Sequence, residues 1–209
     1  MRLFRIGVML AALCLHAQAP NESKGMPPRS SPAEYQAQAQ VGTVTIGAEF
    51  MGHGVPTPDA VYSTEDYVVV EVGLFGPAGA RLKLNASDFS LRIGKKKTPL
   101  QTEPSEVVLK SLKDPNWIPP EEPEASKSKS GIGTNPSQDN TPPPPPKMPM
   151  ELRHVMNQHV QKAVLLEGDR LLPQAGLLFF SFHGKPENIK SLELAYAGAA
   201  GSATLNLHP

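Results

Sequence analysis

The chain has 209 residues, with 23 prolines, 20 basic and 20 acidic side chains and 39% hydrophobic residues. This composition supports one modest folded domain, and its interspersed, balanced charge excludes a nucleic-acid partner, which needs concentrated positive charge. Aromatic content of 6%, with one cysteine and one tryptophan, excludes a disulfide framework and argues against a haem or flavin design.

Arg2 and Arg5 precede ten apolar residues at 6–15, which His16-Ala17-Gln18-Ala19 follow. A positive start, a short apolar stretch and small residues at its exit are the parts of an export signal. A spanning helix needs about 20 apolar residues, so an uncleaved anchor is the weaker reading. Residues 1–19 are expected to be a signal peptide, cut after Ala17 or after Ala19, with Pro20 opposing the second cut. Leu13 is too large for lipid processing at Cys14, so the mature protein is expected to be exported to the periplasm or extracellular space without lipid or membrane span. Losing the leader removes Cys14, and with it disulfides, thiolate metal sites and a cysteine nucleophile. It also removes Arg2 and Arg5, leaving 18 basic against 20 acidic residues.

Residues 20–40 hold scarcely an apolar side chain larger than alanine and are expected to be a disordered tether. The first part of the fold, residues 41–114, opens with Val44, Ile46, Ala48 and Phe50 alternating with Thr43, Thr45, Gly47 and Glu49, the period of a half-buried strand. A loop containing His53 between Gly52 and Gly54 follows. Residues 67–75 are apolar on both faces and are expected to lie centrally in a sheet. Leu82 with Leu84, and Phe89, Leu91 and Ile93, mark two further strands. Lys95-Lys96-Lys97 reads as a solvated hairpin turn. Residues 98–102 and 107–109 are weaker strand candidates.

Between residues 115 and 149, 11 of 35 residues are proline. Residues 115–148 are therefore expected to be a disordered, proline-rich insertion, with the run at 142–146 serving as a spacer in preference to a docking motif. Trp117 at its edge is expected to pack back on the domain. Residues 149–167 follow as an amphipathic helix, with Leu152, Val155, Met156, His159, Val160, Ala163 and Leu166 on one face as a lid. The second part of the fold, residues 168–209, holds a turn at 171–176, a two-sided apolar strand at 177–182, and alternating strands at 191–196 and 203–208. Seven or eight short strands with turn punctuation indicate an antiparallel sandwich.

Four pieces carry a resemblance: Val68-Val69-Val70-Glu71-Val72, the corner from Asn85 to Leu91, the Leu172-Pro173-Gln174-Ala175-Gly176 turn, and Ser191-Leu192-Glu193-Leu194. In their order they resemble exported bacterial immunoglobulin-like β-sandwich domains of unknown function. The resemblance implies a mainly β, antiparallel immunoglobulin-like sandwich, here with one amphipathic helix and the insertion, and it carries no catalytic residues.

The histidines beyond the leader are His53, His154, His159, His183 and His208. His154 and His159 stand five apart, which breaks the spacing that sets two metal ligands on one helix face. His159 is expected to be a packed histidine and His53 a solvated loop residue. Gly198-Ala199-Ala200-Gly201-Ser202 lacks the spacing of a nucleophile elbow and reads as a hairpin loop. No catalytic, cofactor-binding or metal-ligating residue is expected. The expected function is a non-catalytic exported binding or structural module whose partner is another envelope or extracellular protein. The alternative is a hydrolase or carbohydrate-active protein whose site is assembled from distant residues.

Overall fold

A computed structural model describes residues 25–95, 97–120 and 147–209. The expected signal peptide, Lys96 and most of the expected proline-rich insertion lie outside them. The first strands are β1 (Ala37–Val41), β2 (Val44–Gly52), β3 (Gly54–Pro56), β4 (Val61–Thr64) and β5 (Tyr67–Phe75). Next come β6 (Arg81–Leu84), β7 (Phe89–Ile93), β8 (Leu100–Glu103), helix α1 (Ser105–Val108) and β9 (Leu112–Lys113). Helix α2 (Met150–Ala163) precedes β10 (Gly168–Leu171), β11 (Gln174–Ser181), β12 (Leu192–Gly198) and β13 (Gly201–Leu207).

The chain is mainly β, and its strand pairs are antiparallel, as expected. Eight strands form one sheet in the order β1-β2-β5-β11-β8-β7-β12-β13, with β3-β4-β9 and β10-β6 as small satellites. The halves β1-β2-β5-β11 and β7-β12-β13 face each other, joined by β8, which pairs with β11 only at Phe179 and Phe180. The far edges nearly meet: Gln36 donates its side-chain amide to the His208 carbonyl at 2.7 Å, and Gly201 lies against Val41. In place of two separate packed sheets, the strands thus make one curled, nearly closed sheet. Isolated bridges from Met26 to Ala175 and from Val164 to Leu177 cover the part of β11 that β8 leaves free, which blunts an otherwise open edge.

Both faces of β5 and β11 are buried because each faces a different core. Val68, Val70, Val72 and Leu74 of β5 join Leu178 and Phe180 of β11 and Leu91, Leu194 and Leu205 of the opposite half inside the curl. On the outer side, Val69, Leu177 and Phe179 pack against Val55, Tyr62 and Val108 and against Met156 and Val160 of α2. Each fully buried Val, Leu or Phe side chain contributes about 1.5–3 kcal/mol, so this second core fastens α2 firmly as a lid.

Five expectations are corrected. Residues 25–40 are not a tether: Tyr35 is 6% exposed and β1 is a strand of the main sheet. Residues 107–109 do not form a strand, because the chain turns helical at Ser105 after the extended Pro104 and buries Val108 in the outer core. The helix ends at Ala163 rather than 167, since Val164 turns extended to bridge Leu177. Its buried seam is Met156, Val160 and Ala163, while Leu152 and Val155 on the flank are 46% and 43% exposed. His53 is no solvated loop residue: its Nδ1 lies 2.6 Å from the Tyr67 carbonyl oxygen and its Nε2 lies 3.0 Å from that of Gly184.

Candidate functional site

The segment at 25–36 crosses the outer face of the main sheet as a strap, and the reason lies in β2 and β5. Glu49 and Glu71 sit directly opposite each other in the β2–β5 ladder, and Gly47 stands opposite Gly73 on the same face. Two facing carboxylates repel, so the pair calls for a cation. Arg29 supplies it: its Nε and Nη2 donate to Glu71 at 3.2 and 2.9 Å, and its Nη1 donates to Glu49 and to the Glu34 carbonyl oxygen. Its guanidinium also stacks 4.5 Å over the Tyr35 ring. Tyr35 lies across the two glycines, where a Cβ on Gly47 would stand 2.6 Å from the ring. Glycine in a strand here marks the close approach of another element.

The electrostatics follow from this geometry. Burial works to lower the Arg29 pKa, but hydrogen bonds and charges from Glu71 and Glu49 outweigh it and hold the guanidinium above its ordinary value. Burial, reinforced by the charge of Glu71, pushes the Tyr35 hydroxyl up to about 12.

Held in this way, the strap forms one wall of a groove of about 700 Å³. Pro27 and Pro28 come from the strap, Pro58 from the β3–β4 turn, and Leu171, Leu172 and Pro173 from the link between β10 and β11. That link is set by two hydrogen bonds, Leu172 N–H to the Ala80 carbonyl at 2.8 Å and the Gln174 side-chain amide to the Leu171 carbonyl at 2.8 Å. The β3–β4 turn is closed by Thr57, whose N–H and hydroxyl both reach the Ala60 carbonyl oxygen at 2.8 Å. Asp59, Lys162 and Arg170 stand at the rim. Asp59 lies 3.7 Å from His159 Nε2, and Tyr62 Oη lies 2.7 Å from His159 Nδ1. Burial first, then the charges of Asp114 and Asp59, raise the Tyr62 pKa.

No family model matches the chain, and no curated protein matches it. Among solved structures it is similar to a candidate lipoprotein (ycdA) of Bacillus subtilis subsp. subtilis str. 168, at 13% identity and a TM-score of 0.36. The match covers 83% of this chain and 38% of that one, so the chain spans well under half of that protein's length. A likeness of that degree decides neither fold nor function.

The histidines are not brought together. His154 lies beside Gln158 at 3.0 Å, His183 beside Asp66 at 3.3 Å, and His53 and His159 hold their separate contacts. Among the described residues, no group of three or more His, Cys, Asp or Glu side chains is placed to hold a metal ion, and no helix is long and apolar enough to cross a membrane. A smaller cleft of about 220 Å³ beside β11 is lined in part by Glu103, Glu106 and Glu167. Glu167 accepts the Ala86 N–H at 2.9 Å.

Sequence reasoning missed the groove because its residues come from a presumed tether, a loop and a turn. The available signals were Glu71 within an apolar strand and Gly47 and Gly73 within strands, each of which needs a covering element.

Proposed function

We propose that the chain is a non-catalytic, exported binding module that receives an envelope or extracellular component in the strap groove. On this reading the curled sheet is an immunoglobulin-like scaffold that carries its site on an outer wall. The observation behind the proposal is the groove itself: about 700 Å³ of mostly apolar space, walled by four prolines and fixed by the Arg29 network, while the two cores on either side of β5 and β11 are filled by side chains. Ligand sites are concave, mostly apolar and largely pre-formed. Leu171 is 44% exposed, so Leu171→Asp alters the groove without disturbing a core. Native mass spectrometry of protein taken from its own envelope is expected to show a bound species with the wild type that Leu171→Asp lacks. Identical spectra for the two would overturn the proposal.

One observation favours a hydrolase instead, the placing of Glu103, Glu106 and Glu167 on a single cleft. Paired carboxylates serve glycoside hydrolysis as acid and base. Turnover of glycoside substrates that disappears on Glu103→Gln or Glu106→Gln would replace the binding reading.

A further inference from the structure

The groove's wall is poor in hydrogen-bond donors. Pro27, Pro28, Pro58 and Pro173 have no backbone N–H to offer. The Leu172 N–H is spent on Ala80, and the Gln174 side-chain amide is spent on Leu171. Gln174 and Leu171 also hold ladder positions opposite Leu74 and Arg81. An extended peptide laid here would find few donors for its own carbonyl oxygens, which is costly where its burial displaces water. A hydrocarbon chain brings no such requirement, and it complements the leucine and proline surfaces.

The rim adds a charge. Lys162 and Arg170 make no ion pair among the described residues; Arg170 donates its Nε to the Glu167 carbonyl at 2.9 Å, and Lys162 is exposed on the last turn of α2. Asp59 is the acidic side chain at this rim. Two cations against one carboxylate leave the mouth one positive charge in excess, which matches a ligand with a single negative head.

We propose that the groove binds an amphiphile with an unbranched hydrocarbon body and a single carboxylate head, the head at Lys162 and Arg170 and the chain along Leu171, Leu172 and the four prolines. This rests on the reading of the groove as the binding site. The volume of about 700 Å³ falls in the usual range for small-ligand pockets and exceeds what one medium-length acyl chain occupies.

Calorimetric titration of the full chain, delipidated after purification, tests the proposal with decanoate, decan-1-ol and an acidic, leucine-containing peptide as probes. Decanoate is expected to bind one to one, with decan-1-ol at least tenfold weaker. Lys162→Gln and Arg170→Gln should each weaken decanoate about fivefold and leave decan-1-ol unchanged, and Leu171→Asp should abolish binding of both. Lys162 is an exposed helix residue, so its variant folds whatever Leu171→Asp does. Equal affinity for acid and alcohol, no decanoate binding, or binding indifferent to all three substitutions would overturn the proposal. If the peptide binds in a Leu171-dependent way and decanoate does not, the ligand class is wrong and the groove reading stands. If neither decanoate nor the peptide binds, and native protein carries nothing that Leu171→Asp lacks, both fall.

Discussion

Replacing Arg29 with methionine keeps a long, apolar stem over the Tyr35 ring but removes the cation between Glu49 and Glu71. Glu71 is 4% exposed, so its carboxylate would be left buried beside a like charge directly opposite it in the ladder. Breaking a fully buried ion pair costs about 3–5 kcal/mol. The Arg29 and Glu49 side chains are 26% and 32% exposed, so solvent screens part of the network, and the low end, about 3 kcal/mol, is expected. With a urea dependence of about 2 kcal/mol/M, the unfolding midpoint should fall by about 1.5 M. The strap should also become a new site of limited proteolysis that the wild type lacks, since β1 loses the contacts that precede it. Adding Glu71→Gln to Arg29→Met should recover part of the loss, because the buried charge is gone, whereas Glu71→Gln with Arg29 intact should not stabilise. A midpoint shift below about 0.5 M for Arg29→Met, or no recovery in the double variant, would refute the argument that this network holds the strap.

Gly47→Ala places a methyl 2.6 Å from the Tyr35 ring and should cost about 1–3 kcal/mol in urea unfolding, with strap cleavage as on loss of Arg29. Raising the pH should destabilise the fold between about 10 and 12. The Tyr35 hydroxyl keeps its proton up to about 12 in the native state and releases it near 10 when unfolded, so stability present below pH 10 is lost across that window, by up to about 3 kcal/mol. Tyr35→Phe should flatten that part of the pH profile. Met156→Asp puts a charge at a site 3% exposed in the outer core and should cost several kcal/mol, read as a lowered thermal midpoint; a silent substitution would show that α2 is not fastened to β5 and β11. Mass spectrometry of native protein is expected to find a lipid-free N-terminus at Gln18 or Pro20, and recovery of acylated Cys14 would sink the reading that the exported chain carries no lipid.

The strands were legible because their signal is local. Alternation at 44–50, 89–93 and 192–196 reflects one buried face, and the two-sided apolar runs at 67–75 and 177–182 became the central strands β5 and β11. The helix was legible from its period, though its width was overstated, since periodicity does not reveal how much of a face the partner surface can cover. The strap was not legible. Composition marks residues 25–40 as unable to build a core of their own, yet they need none, because the β2–β5 surface already presents a glycine slot for Tyr35 and two carboxylates for Arg29. His53 illustrates the same limit: a histidine between glycines reads as solvated until the fold brings the Tyr67 and Gly184 carbonyls to its two ring nitrogens. The groove depends on the tertiary structure alone. Its prolines and cations come from a strap, a turn, a helix end and a strand link, and no local pattern encodes the distances between them.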